Sequence, residues 1–133
     1  LSIQRFARLI FNVKRGLTTP VIEVGNLSSY RDFIDVRDAA KAFWQLVQTP
    51  SADGQIVNIC TGTPVLIQSA LDALLEISEV AVEICISPAL FRQGDVSCNY
   101  GSPTRLIRLT EFKPTYSFND TLQDIWNNLK FEA

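Results

Sequence analysis

The apolar residues of this chain change period several times, from steps of three and four to strict alternation and back. A chain patterned in this way is restricted to a mixed α/β fold. Ile3, Phe6, Ile10 and Val13 make one helical stripe that stops at Gly16. After Thr18, Thr19 and Pro20, the run VIEVG alternates with β-branched side chains and predicts a short strand, and GNLSSY predicts a loop. In DVRDAAKAFWQLVQ, residues Val36, Ala39, Ala40, Phe43, Trp44 and Val47 recur at the period of a well-buried helix, with Asp35 placed to cap it and Asp38 one turn in. PSADG ends that helix, and GQIVNICTG, an apolar run between glycines, predicts a strand buried on both faces. VLIQSALDALLEIS reads as a helix, VAVEICI as a strand edging a small sheet, and SPTRLIRL as a short helix. SFNDTLQDIWNNLKF closes the chain as a helix capped by Ser117 or Asn119, with Phe118, Leu122, Ile125, Trp126 and Leu129 on one face.

With 133 residues, 47% of them hydrophobic and 20% charged, the chain has material for one core, and one compact unit is expected. A formal net charge of −2 with scattered basic residues excludes a nucleic-acid partner, which needs clustered cations to displace counterions. The apolar stretches fall short of the roughly 20 residues that span a bilayer, and the start lacks a signal peptide's progression, so no membrane partner is expected. Cys60, Cys85 and Cys98 form an odd set without a CxxC pair, the usage of reduced thiols in a cytoplasmic protein. The chain has no Met and opens directly on a helical pattern, which predicts that it begins in mid-protein.

The sequence contains no His, which removes Ser-His-Asp, Cys-His and histidine metal sites together. Glycines 16, 25, 54, 62, 94 and 101 never form a phosphate-cradling loop, so no cofactor-binding residue is expected here. Asp32, Asp35 and Asp38 stand three apart. Asp35 and Asp38 are expected to serve the helix start, and Asp32 to pair with an arginine. Arg31 in the loop before that helix and Arg92 in the loop LFRQGD are placed as anion-binding arginines are, since a planar guanidinium suits diphosphate oxygens.

The run VIEVGNLSSYRDFIDVRDAAKAFW resembles a segment of the extended short-chain dehydrogenase/reductase (NAD-dependent epimerase/dehydratase) family, in which a Gly-Asn loop leads to Arg-Asp-Phe and a helix beginning Asp-Val-x-Asp. The similarity is strongest to the branch acting on GDP-mannose-type sugars. GQIVNICTG resembles the family's last central strand, LFRQGDV its Arg-Pro-x-Asp/Glu-Val loop, and EFKPTYSFNDTLQDIW its Gly-Trp-x-Pro segment and closing helix. Departures are Gln93 for the usual Pro, Ser102 and Pro103 for an acidic residue and its neighbour, and Glu111 for the Gly before Phe112.

The resemblance implies that residues 1–133 are the C-terminal substrate-binding region of a nucleotide-sugar dehydratase, reductase or epimerase. That region would comprise the last Rossmann strands and helix plus a small mixed α/β substrate-binding domain. It implies that Arg31 and Arg92 hold the nucleotide diphosphate, with Asn26 and Asp95 as weaker contacts near the nucleotide or ribose. It also implies an NDP-sugar substrate, with a GDP-sugar favoured, and a homo-oligomer. The N-terminal half, with the family's cofactor glycines and Tyr-x-x-x-Lys pair, is absent from this chain, so neither a catalytic residue nor a cofactor is expected in it; NADP or NAD belongs to the parent enzyme. The alternative is a stand-alone, non-catalytic interaction or regulatory module derived from that fold.

Overall fold

The computed structural model describes residues 2–91 and 93–131. Its elements in chain order are α1 (Ser2–Lys14), β1 (Val21–Val24), β2 (Tyr30–Asp32), α2 (Val36–Val47), β3 (Pro64–Leu66), α3 (Ile67–Ser78), β4 (Glu83–Ile86), β5 (Cys98–Asn99), α4 (Thr104–Thr110) and α5 (Phe118–Phe131). They form two compact units, one of Leu1–Ser29, Leu66–Ser97 and Asn119–Ala133 and the other of Tyr30–Val65 and Cys98–Phe118. This replaces the single unit expected from chain length. Each unit has its own small sheet, in line with the two-part composition that the resemblance implies.

In the first unit, Ile3, Phe6, Ala7 and Ile10 of α1 are buried, as are Ile67, Ala70, Leu71 and Leu74 of α3 and Leu122 and Trp126 of α5. The Trp126 ring meets Phe11 edge-on, with centroids 5.8 Å apart. Lys14 lies over the same indole at 5.4 Å and donates at 2.7 Å to the carbonyl of Ser78, so one cation serves the ends of two helices. Helix α1 stops where its pattern stops. Gly16 takes φ +68°, and Leu17 N–H reaches back to Asn12 O at 2.9 Å, closing the helix in a left-handed turn. Strands β1 and β4 pair in parallel with Val21 opposite Glu83 and Val24 opposite Ile86.

The second unit has the sheet order β3-β2-β5. Its core is Ala42, Leu106 and Phe112, with Ile34, Leu46, Val57 and Ile59 packed around them. Two expectations fail here. Helix α2 forms over the expected residues but turns the other way: Val36 is 77% exposed, Phe43 62%, Trp44 67% and Val47 79%. Asp38 and Ala42 face inward instead, because the buried Asp38 carboxylate accepts the amide N–H groups of Thr115 and Tyr116 at 2.9–3.0 Å. Nor is GQIVNICTG a strand buried on both faces. Val57 and Ile59 turn toward the core while Ile56 is 84% exposed, and an extended run becomes a strand only where another backbone pairs with it.

Helix α4 ends on Glu111 at φ 55°, the left-handed conformation that a glycine adopts without steric cost. This is the position where the resembling family carries Gly, and Phe112 directly after it is buried. Replacing Glu111 by Gly should stabilise the chain by about 1 kcal/mol. The check is the urea midpoint of Glu111→Gly, which rises if the left-handed turn is the strained point and falls if the glutamate side chain makes a contact that outweighs it.

Candidate functional site

Strand β2 carries the first of the expected ligand residues. Arg31 was expected in a loop. It stands instead in a strand, because Tyr30 and Arg31 pair in parallel with Cys98 and Asn99 of β5. The Arg31 side chain is half-buried, and its guanidinium donates at 2.7 Å to the carbonyl of Tyr30.

Asp32, next along the strand, is a hydrogen-bond hub. One carboxylate oxygen accepts the Thr61 amide at 2.9 Å and the Thr61 hydroxyl at 2.5 Å; the other accepts the amides of Gly62 at 2.9 Å and Gly101 at 3.3 Å. These partners are backbone amides and a hydroxyl, in place of the expected arginine. Burial pushes the Asp32 pKa up, but the bonds from the Thr61 hydroxyl and from the amides of Thr61, Gly62 and Gly101 outweigh it and leave the group below its ordinary 3.8. Close by, burial and then the Asp32 charge push the Cys60 thiol up, so this cysteine stays a neutral packing group.

The other two acidic residues are used separately. Asp35 caps α2 as expected, accepting Arg37 N–H at 2.9 Å, and also takes the Arg37 guanidinium on both oxygens at 2.8–2.9 Å. That guanidinium lies 3.5 Å over the Tyr116 ring. Asp38 stands in the first turn of α2 as expected, and its carboxylate also holds residues 115 and 116. Lys41 adds bonds to Lys113 O and Thr115 Oγ1.

In the first unit, β1 runs into Gly25 and Asn26. Asn26 closes a turn on itself, its side-chain oxygen accepting the amide and hydroxyl of Ser28 at 2.9 and 2.7 Å. Gly25 lies against the turn over Pro88–Leu90, where a Cβ would come within 2.9 Å of the Leu90 carbonyl oxygen. Arg92, one residue after Phe91, lies outside the described residues. Asp95 is exposed on the loop before β5. Of the four expected ligand residues, the three described are divided, with Asn26 and Asp95 in the first unit and Arg31 in the second.

A family model described as GDP-mannose 4,6 dehydratase matches residues 2–125. The chain belongs to the GDP-mannose 4,6-dehydratase family. GDP-6-deoxy-D-mannose reductase of Pseudomonas aeruginosa is 34% identical over 119 residues, which are 90% of this chain and 39% of that protein. GDP-6-deoxy-D-talose 4-dehydrogenase of Aggregatibacter actinomycetemcomitans is 30% identical over 113 residues, 84% of this chain and 38% of that protein. The solved structure of RMD from Pseudomonas aeruginosa, complexed with NADPH, matches with a TM-score of 0.91 at 28% identity, over 100% of this chain and 43% of that one. This member of the family therefore spans about two fifths of the length of the relatives it matches.

What the sequence reading missed is how Asp32 is used. The signal was the Thr-Gly pair at 61 and 62, where a hydroxyl and two successive amides stand ready for one carboxylate. Because the Asp32 pKa is lowered by folding, its bonds contribute stability that is complete above the unfolded value and is lost as pH falls through the folded one. The stability difference between the native chain and Asp32→Asn should be constant well above 3.8 and should shrink below it, as read from urea unfolding at a series of pH values. A difference independent of pH down to acid unfolding would show that the charged carboxylate is not what these amides require.

Proposed function

We propose that this chain binds the nucleotide diphosphate of a GDP-sugar as the C-terminal substrate-binding region of an NAD(P)-dependent sugar-nucleotide dehydratase, reductase or epimerase acting in the cytoplasm. The observation that carries the reading is Arg31 on a strand tied down at the next residue, in a chain of the GDP-mannose 4,6-dehydratase family. A planar fork of donors on such a strand suits the paired oxygens of a diphosphate. Arg92 is assigned the same role from the family's Arg-containing loop, and Asn26 and Asp95 weaker contacts near the nucleotide. Both curated relatives are named as catalysts acting on GDP-linked 6-deoxy sugars, which favours a GDP-sugar. Neither name supports a regulatory module.

A dinucleotide does not fit the described residues. Strand β1 leads into Gly25, the Asn26 turn and another strand, not into a glycine-rich turn opening a helix, so no amide cradle for the cofactor's phosphates forms here. In the parent enzyme the nicotinamide supplies hydride transfer, and this chain's share is to hold and orient the sugar nucleotide. We seat the cofactor-binding half on the exposed face of α2, where Val36, Ala40, Phe43, Trp44 and Val47 line up at helical spacing. The greater part of each relative lies outside the region matched by this chain.

The test is calorimetric titration of the chain with GDP, GDP-mannose, mannose and NADPH. GDP and GDP-mannose should bind, while mannose and NADPH should not. Charge-assisted bonds of about 1.5 to 3 kcal/mol each predict that Arg31→Ala and Arg92→Ala each weaken GDP binding by roughly ten- to a hundred-fold, with Lys recovering only part. An alanine variant that binds GDP like the native chain would remove that arginine from the site, and saturable NADPH binding would overturn the division of labour.

A further inference from the structure

We infer that Asp32 is a positioning residue for nucleotide binding, because its carboxylate pins the strand pair on which Arg31 stands. The inference rests on the reading of Arg31 as a diphosphate contact and deepens it.

Strand β5 is two residues long, Cys98 and Asn99, and Asn99 is the partner of Arg31. A ladder this short does not hold its own register, and a slip of one residue would send the Arg31 side chain to the opposite face. Asp32 lies one residue beyond Arg31 and Gly101 two beyond Asn99, so the Asp32–Gly101 bond closes the end of that ladder. The same carboxylate holds the turn at Thr61 and Gly62 through three further bonds. One side chain therefore ties β2 to both segments, all within the second unit.

The glycines make the approach possible. A Cβ on Gly101 would lie 2.6 Å from Cys60 Sγ, and one on Gly62 would lie 2.8 Å from Pro103 Cδ, while Gly62 also takes φ +78°. Two backbones thus come close enough to offer their amides to one carboxylate. Asparagine cannot replace it, because its one carbonyl oxygen would serve two of the four donors and its amide nitrogen, itself a donor, would face the other two. Arg31 gains nothing from the clamp as charge alone; it gains a fixed origin for its side chain.

The experiment is a double-mutant cycle read by GDP titration, with circular dichroism establishing that each variant is folded. Asp32→Asn should weaken GDP binding about ten-fold or more in the native background and have little further effect on Arg31→Ala, since a clamp acting through Arg31 has nothing left to position. Thr61→Val removes the hydroxyl bond alone, should weaken binding about three- to ten-fold with the same dependence on Arg31, and serves in place of Asp32→Asn should that variant not fold. Equal losses with and without Arg31, or unchanged affinity in a folded Asp32→Asn, would overturn the inference while leaving the diphosphate reading intact. An Arg31→Ala chain that binds GDP normally would overturn both.

Discussion

Backbone amides turned inward by tight packing must find acceptors, and in the second unit the acceptor for three of them is Asp32. Leaving such a group unsatisfied costs about 1–3 kcal/mol, so a carboxylate that collects the amides of Thr61, Gly62 and Gly101 decides where those segments can lie. Gly62 and Gly101 come within reach because they lack a Cβ, and Cys60 fills the space a larger residue at 101 would take. Arg31 depends on this arrangement for its place, since its strand partner is the Asn99 that leads into Gly101. Asp38 does for residues 115 and 116 what Asp32 does for the turns. The second unit is thus organised by two aspartates six residues apart, and its apolar cluster is correspondingly small.

Asp38 explains how α2 sits. A helix normally turns its apolar stripe inward, but Asp38 must face the core to serve its amides, and it carries Ala42 with it. Phe43 and Trp44 are then displayed outward, an arrangement a soluble domain avoids unless something covers the face. The same holds for Ile56 in a segment that alternates like a strand yet runs alone among the described residues.

Much of the first unit was legible because periodicity and burial agree there. The stripes of α1, α3 and α5 and the alternation of β1 and β4 lead to the observed elements, and Gly16 marks the end of α1. The second unit was less legible for a physical reason: the apolar residues Val36, Phe43, Trp44 and Val47 of its helix face outward, while its inward groups are carboxylates answering to distant amides. Nothing in the local pattern announces that Asp38 will meet Thr115, 77 residues away. Strand β2 was hidden in the same way, since YRD becomes a strand only through its partner at residues 98 and 99. Arg31, by contrast, was visible through its setting in the family's Arg-Asp-Phe motif, and Glu111 through its departure from the family's glycine.

The chemistry follows from that division. Among the described residues, Arg31 supplies a planar guanidinium of the kind that grips an anion, and no glycine-rich turn opens a helix. The most direct test is nitrogen-15 NMR of the chain during titration with GDP. The account predicts saturable shifts at the amides of residues 30–32 and of the loop around Arg92, with Gly62 and Gly101 moving because they share the Asp32 carboxylate. Shifts confined to α1 and α5, or none at saturating GDP, would contradict it.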